Sequence, residues 1–173
     1  TGWQHACCLM DVNELIMRCF DQPDWIHRLM GILLEKKLTF VEAMEGARFD
    51  LVETGGGAAS STVISPELHR EFCLPYDRQI HDALHRLGFK VVYHTCGGTR
   101  GLEELIVANG CDASETLAPP SVGGNQEPWE LKAKIGHRLA LIGGLDQFNV
   151  LTRCGEKAIR RKVFELFEKV GYD

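Results

Sequence analysis

A parallel α/β sheet built from strand–helix units is the fold class that this sequence predicts, and three observations predict it. Three short apolar runs typical of buried strands, and a fourth, weaker strand segment, recur along the chain, and each is followed by a longer segment with apolar residues at helical spacing. A polar or glycine-rich segment follows each run directly, as in βα units. The chain has 173 residues, 45% of them apolar and 25% charged, which suits one soluble domain with a sizeable core.

The predicted elements follow one another in a regular order. The predicted strands are residues 49–52, 89–93, 113–117 and 139–142. The predicted helices are residues 11–20, 23–46, 66–88, 99–109, 127–137 and 156–170. Asp21 is the expected N-cap before Pro23, and Ser65 is the expected cap before Pro66. This order is consistent with a doubly wound sheet and with half of a (β/α)₈ barrel. A complete barrel usually needs about 250 residues, so the chain would be an incomplete one.

Charge, hydropathy and cysteine usage exclude several function classes. A formal net charge of −5 leaves no electrostatic footprint for nucleic acid. No apolar run approaches the roughly 20 residues that span a bilayer, so no membrane interaction is expected. The seven cysteines are odd in number and contain no C-x-x-C pair, which excludes a zinc ribbon. They are interpreted as reduced thiols, and a cytoplasmic location is predicted.

The sharpest chemical signal is a histidine and a cysteine two residues apart, directly after the second predicted strand. His94 and Cys96 can point the same way, and imidazole plus thiolate is a donor set typical of zinc. The following Gly97 lets the backbone turn close to such a site. A catalytic zinc normally has three protein ligands, however, and H-x-C triplets also occur by chance. His5 and Cys7 form such a triplet without a preceding strand and are interpreted as structural.

Acidic residues follow other predicted strands, at the edge where parallel α/β folds build active sites. Glu53 and Glu115 are candidates for acid–base chemistry, substrate binding or a metal contact, and solvated carboxylates are the alternative. Asp146 is a third candidate, with a helix cap as its alternative. The loop around it is a candidate for cofactor binding through Gly143, Gly144 and Gln147, and Gly97 is a further candidate.

Three further histidines fall on one predicted helix. They are His69, His81 and His85. The last two are four residues apart, but no H-E-x-x-H pattern accompanies them, and a solvated helix face is expected instead.

Three motifs, in order, resemble the uroporphyrinogen decarboxylase superfamily over about residues 45–173. Tyr93 to Gly97 is similar to the H-x-C-G segment of its zinc-dependent, corrinoid-linked methyltransferases. Ser65-Pro66-Glu67 with Phe72, Pro75 and Tyr76 resembles a helix start found across the superfamily. Residues 141–146 resemble its G-N-L-D strand end, with Gly144 in place of Asn.

The resemblance implies a (β/α)₈ barrel of which residues 1–173 are the C-terminal part of a single domain, without the N-terminal half and the last strand. It implies zinc held by His94, Cys96 and a third ligand at or beyond Asp173. The expected activity is methyl transfer between a corrinoid protein, as partner, and a thiol or related small molecule. Porphyrinogen decarboxylation without metal, with Asp146 facing the pyrrole, is one alternative. A non-catalytic fragment or metal-free binding domain is the other.

Overall fold

Four parallel strands form one sheet in the computed structural model, which describes residues 1–171. The strands are β1 (Leu51–Gly55), β2 (Lys90–His94), β3 (Ala113–Thr116) and β4 (Ala140–Gly143). Their spatial order is the chain order, and each neighbouring pair is parallel. A doubly wound sheet reverses its strand order at a switch point, whereas a barrel adds each strand on the same side. The described order is therefore that of a barrel segment, and the predicted α/β class is confirmed.

Eight α-helices lie within the described residues. They are α1 (Gly2–Leu9), α2 (Val12–Asp21), α3 (Pro23–Glu42), α4 (Pro66–Phe72), α5 (Leu74–Arg86), α6 (Glu103–Ala108), α7 (Pro128–Ile135) and α8 (Glu156–Val170). No helix of residues 1–171 combines the length and the hydropathy needed to cross a membrane.

Two helix predictions are wrong in detail. The single helix expected over residues 66–88 is two helices that meet at Cys73. Pro75 lies in the first turn of α5, where its missing N–H costs nothing, but it would break a continuous helix. The expected cap Asp21 is the last residue of α2, and Gln22 is the N-cap of α3 because Pro23 is the first helical residue.

The helix-facing side of the sheet carries the main core. Val91 and Tyr93 of β2 are buried there against Leu105 and Ile106 of the α6 region and Leu131 of α7. A second core joins the N-terminal helices to α4. Its largest buried side chains are Trp3, Leu15, Ile26, Met30 and Phe72. The strand–helix units are therefore fixed from outside the sheet.

Successive side chains of a strand alternate between the two faces of the sheet. Thr54, Tyr93 and Ser114 are buried on the helix side. Their neighbours in sequence face the opposite, inner side, which is open: Leu51 is 55% exposed and Ile142 46% exposed. The register places His94 opposite both Gly55 and Glu115 on this inner face.

The histidines of α4 and α5 do not form a solvated face. His69 and His81 are buried, and only His85 of the three is partly exposed. His81 lies 2.8 Å from the Thr54 hydroxyl through Nε2 and 2.9 Å from the Asn109 carbonyl through Nδ1. The expectation was wrong because α5 turns His81 toward β1, and both ring nitrogens find partners there. Burial lowers the pKa of His69 and of His81 to about 4.

Candidate metal centre

Three side chains of the inner face meet where the strands end. One ligand atom each from Glu53, His94 and Glu115 lies within 4.8 Å of the other two. Among residues 1–171 this is the one group of three His, Cys, Asp or Glu side chains close enough to hold a metal ion. β1 supplies Glu53, and the ends of β2 and β3 supply the other two. Three of the four residues predicted to share one edge of the sheet therefore lie close together, and their roles stay a prediction.

The position of Glu53 within its strand differs from the prediction. The sequence placed it at the strand end, but β1 continues to Gly55, and Glu53 is its third residue. Its side chain is exposed on the open inner face, two residues below the edge. It therefore approaches His94 from inside the sheet rather than from a loop.

The His94 ring is held by its neighbour on β3. Its Nδ1 forms a hydrogen bond with Glu115 Oε1. The Thr116 hydroxyl donates to Glu115 Oε2 at 2.8 Å, and its oxygen lies 3.2 Å from His94 Nδ1. A carboxylate at Nδ1 favours the tautomer that carries its proton there, which leaves the Nε2 lone pair free for a metal.

Thr116 adopts an unusual backbone conformation at this point. Its φ is +79° and that of Leu117 is +45°, the two positive values among the described non-glycine residues. A β-branched residue in this region is strained, and such strain concentrates at functional sites. The conformation turns the chain so that the hydroxyl of Thr116 reaches back to Glu115 and His94.

The thiol of Cys96 lies on the Nε2 side of the same ring. A Cβ added to Gly57 would lie 2.4 Å from Cys96 Sγ and 3.8 Å from His94 Nε2. Both donor atoms therefore lie close to the bare backbone of Gly57. That they share one metal ion stays a prediction. Partial burial raises the pKa of the Cys96 thiol, and the nearby Glu115 carboxylate acts in the same direction. A bound cation would oppose both effects.

Asp146 is used as a helix cap. Its carboxylate accepts a hydrogen bond from the backbone N–H of Asn149 at 2.6 Å and from the Asn149 amide at 2.8 Å. The bond from that N–H is the main reason why the pKa of Asp146 falls to about 2. Gln147 begins the short π-helical turn that Asp146 caps. Asp146 lies outside the group formed around His94, and its role in the pocket stays a prediction.

The predicted cofactor-binding glycines lie in the loops around the site. Gly97 follows Cys96 and packs on the Ser60 side chain. Gly143 ends β4, and a Cβ there would lie 2.4 Å from the Thr116 carbonyl oxygen. Gly144 donates its N–H to the Thr116 carbonyl of β3 at 3.0 Å, and a Cβ there would meet Pro128 and Leu166. Their proposed contact with a cofactor stays a prediction.

Two other parts of the metal prediction have different outcomes. The third ligand expected at or beyond Asp173 lies outside the described residues. His5 and Cys7, the triplet interpreted as structural, lie in α1, a helix that the sequence did not predict.

Sequence reasoning missed two residues of the site. Gly57 belongs to a glycine run with no recognised pattern, and its closeness to Cys96 is a contact across the sheet. Thr116 gave no signal, because its residue type argues against the backbone angle it adopts.

Comparisons with known proteins agree with this architecture. The family model described as uroporphyrinogen decarboxylase (URO-D) matches residues 2–173. A uroporphyrinogen decarboxylase of Thioalkalivibrio sulfidiphilus is 33% identical over 86% of this chain and 41% of its own length. One of Alcanivorax borkumensis is 28% identical over 93% of this chain and 44% of its own.

Methyltransferases are also among the similar proteins. The methylcobamide:CoM methyltransferase MtbA of Methanosarcina mazei is 24% identical over 76% of this chain and 37% of its own length. A solved methyltransferase structure from Methanosarcina mazei superposes with a TM-score of 0.78 at 19% identity, over 93% of this chain and 45% of that one. The chain thus spans less than half the length of these relatives, and the fold is the barrel type that they share. By the match over residues 2–173, this chain belongs to the uroporphyrinogen decarboxylase (URO-D) family.

Proposed function

We propose that this chain carries the metal-holding part of a zinc-dependent methyltransferase that moves a methyl group between a corrinoid protein and a thiol or related small molecule. One observation carries the proposal: His94 Nε2 and Cys96 Sγ both lie close to Gly57, while Glu115 occupies the other nitrogen of the ring. The name of the MtbA relative, a methylcobamide:CoM methyltransferase, supports the same activity.

The donor set fits zinc by its chemistry. Imidazole, thiolate and carboxylate are its common protein ligands, and a catalytic site keeps one position open for substrate. His94 and Cys96 would hold the ion from the side of Gly57. The third protein ligand would be the one expected at or beyond Asp173, outside the described residues. Zinc bound there would lower the pKa of a thiol substrate.

The remaining residues of the site would orient the His94 ring and accept a proton. Glu115 fixes the His94 tautomer, and Thr116 holds the Glu115 carboxylate in place through its hydroxyl. Glu53 is exposed on the open face, and a carboxylate oxygen of Glu53 lies within 4.8 Å of a His94 ring nitrogen, so Glu53 would accept the proton that the thiol releases. The thiolate sulfur would then take the methyl group from the corrinoid: a C–S bond would form, the cobalt–carbon bond would break, and the corrinoid cobalt would keep the electron pair of that bond.

The test combines metal content with methyl transfer. The zinc-loaded chain is mixed with methylcobalamin as donor and a small thiol as acceptor, and loss of the methylcobalamin absorption is followed. Wild type is expected to turn over, and Cys96→Ser and His94→Ala are expected to lose both zinc and activity. Turnover that survives both substitutions, or a wild type that binds no zinc, would contradict the proposal.

Porphyrinogen decarboxylation is the second candidate, because two relatives bear that name at 33% and 28% identity. It needs no metal, and Asp146, with its pKa lowered to about 2, would stay ionised to face the pyrrole nitrogens. Metal-free turnover of uroporphyrinogen that is lost in Asp146→Asn and kept in Cys96→Ser would favour it.

A further inference from the structure

Asn125 joins three of the loops that follow the strands. It lies in the loop after β3, five residues beyond Pro120. Its Oδ1 accepts hydrogen bonds from two successive backbone N–H groups of the loop after β2, Thr99 at 3.0 Å and Arg100 at 2.9 Å. Its Nδ2 donates to the Ser61 hydroxyl, in the segment after β1, at 2.9 Å. One side-chain amide therefore satisfies partners in both neighbouring loops.

Side chains next to Asn125 add hydrogen bonds to this set of loop contacts, which we call the Asn125 junction. Gln126 Nε2 donates to the Thr99 hydroxyl at 2.7 Å. The Arg100 guanidinium donates to the Asn125 carbonyl at 3.0 Å and to Glu130 at 3.1 Å. The loop after β2 is thus held from its side chains as well as from its backbone.

The geometry of the loop requires this close approach. A Cβ on Gly98 would lie 2.7 Å from Asn125 Nδ2 and 2.8 Å from Ser61 Oγ, so the amide fits against bare backbone there. Gly98 also donates its N–H to the Thr62 hydroxyl and accepts from the Ser61 N–H through its carbonyl. Cys96 is two residues before Gly98, and the strand ends at His94. The segment that carries the thiol is therefore fixed on one side by β2 and on the other by the Asn125 junction.

We propose that Asn125 is a positioning residue for Cys96, holding its thiol beside His94 Nε2 without touching either group. Outer partners that orient ligands typically change metal affinity by about 10–100-fold when they are removed. The inference rests on the proposed function for the role of Cys96 as a zinc ligand. The position of the thiol itself does not depend on zinc.

Two substitutions separate the amide's hydrogen bonds from its volume. Asn125→Ala removes all three bonds, so the zinc dissociation constant should rise by about tenfold or more. Asn125→Asp keeps an acceptor for the two N–H groups, and the Ser61 hydroxyl can rotate to donate to it, so affinity should stay close to wild type. Asn109→Ala is the matched control. Asn109 also accepts a backbone N–H, that of Cys111 at 2.9 Å, but in the loop before β3 at the opposite edge of the sheet.

The readouts are zinc affinity, by competition with a chromophoric chelator, and the alkylation rate of Cys96 in the metal-free chain. Iodoacetamide alkylates the thiol, and peptide mass spectrometry measures the extent of alkylation over time. The exposed Cys8 is the internal reference. We expect Asn125→Ala to weaken zinc and change the Cys96 rate, whereas Asn125→Asp and Asn109→Ala leave both near wild type.

Unchanged Cys96 alkylation in Asn125→Ala would overturn the inference, as would an effect of Asn109→Ala that is equally large. A loss in Asn125→Asp as large as that in Asn125→Ala would overturn the hydrogen-bond argument. A wild-type chain that fails to bind zinc would count against the proposed function alone, because alkylation needs no metal and still decides whether Asn125 positions the thiol.

Discussion

Replacing Gly57 by alanine should remove Cys96 from the metal site while leaving the fold intact. The added Cβ would lie 2.4 Å from Cys96 Sγ, a distance that real Cβ atoms do not show, so the thiol must rotate away. Gly57 does not have a positive φ, so alanine can adopt its backbone conformation. The backbone effect on the free energy of unfolding is then about 0.4–1 kcal/mol in favour of the variant.

The expected loss of metal affinity is much larger than the change in stability. Structural zinc sites bind with about 10–16 kcal/mol, so one of four ligands contributes about 3 kcal/mol. That loss corresponds to a zinc dissociation constant about a hundredfold higher.

A chelator competition titration measures that constant, and urea unfolding checks the fold. Gly31→Ala is the control, because Gly31 lies within α3 with no atom within 4 Å of the new Cβ. It should stabilise the helix by about 1 kcal/mol without changing zinc affinity. If Gly57→Ala binds zinc as tightly as wild type, Cys96 is not a ligand at this place.

Three further predictions concern buried and exposed titratable groups. His81→Ala should lower the free energy of unfolding by about 3 kcal/mol, since it removes the partner of two buried groups. His85→Ala removes a half-exposed ion pair and should lower it by only about 0–1 kcal/mol. Equal losses of the two variants in urea unfolding would refute this. Burial raises the pKa of Asp77 to about 7, so the native state binds a proton that the unfolded state has lost above about pH 4. The stabilising contribution of Asp77 is thus fully present below pH 4 and falls by up to about 1.4 kcal/mol per pH unit as the pH rises toward 7. Unfolding of wild type and Asp77→Asn from pH 4.5 to 7.5 measures it, and a constant difference would disprove it. Glu53→Gln should slow methyl transfer with little change in the unfolding midpoint, and unchanged kinetics would leave Glu53 a solvated carboxylate.

Much of the sheet could be predicted from the sequence because its signals are local. Apolar runs, and the spacing of one weaker segment between two helices, located all four strands, and helix α8 has the bounds predicted for it. The first strand was set too early, since Phe49 lies outside β1 and packs its ring on Phe89 instead. A short apolar run does not show which of its residues enters the ladder.

The candidate site could be predicted only in part. His94, Cys96 and Glu115 follow from strand ends and residue types, because parallel strands bring their carboxyl ends to one edge. The support around them is non-local: Gly57 meets Cys96 from another strand–helix unit, and Asn125 reaches two loops at once. The positive φ of Thr116 contradicts its residue preference, so local reasoning could not have found it.

The buried His81 was misjudged for a related reason. A histidine on a helix with charged neighbours is typical of a solvated face, but burial depends on the partners that tertiary structure supplies. Thr54 and the Asn109 carbonyl come from β1 and from the end of α6, far along the chain in both directions.

The most direct test of the central claim is the zinc K-edge absorption spectrum of the zinc-loaded chain. The account predicts one zinc per chain, with a single sulfur ligand at about 2.3 Å, supplied by Cys96, and nitrogen or oxygen ligands at about 2.0–2.2 Å, one of them supplied by His94. In Cys96→Ser the sulfur shell should vanish. A sulfur shell that persists in Cys96→Ser, or a wild-type spectrum with no sulfur at all, would contradict it.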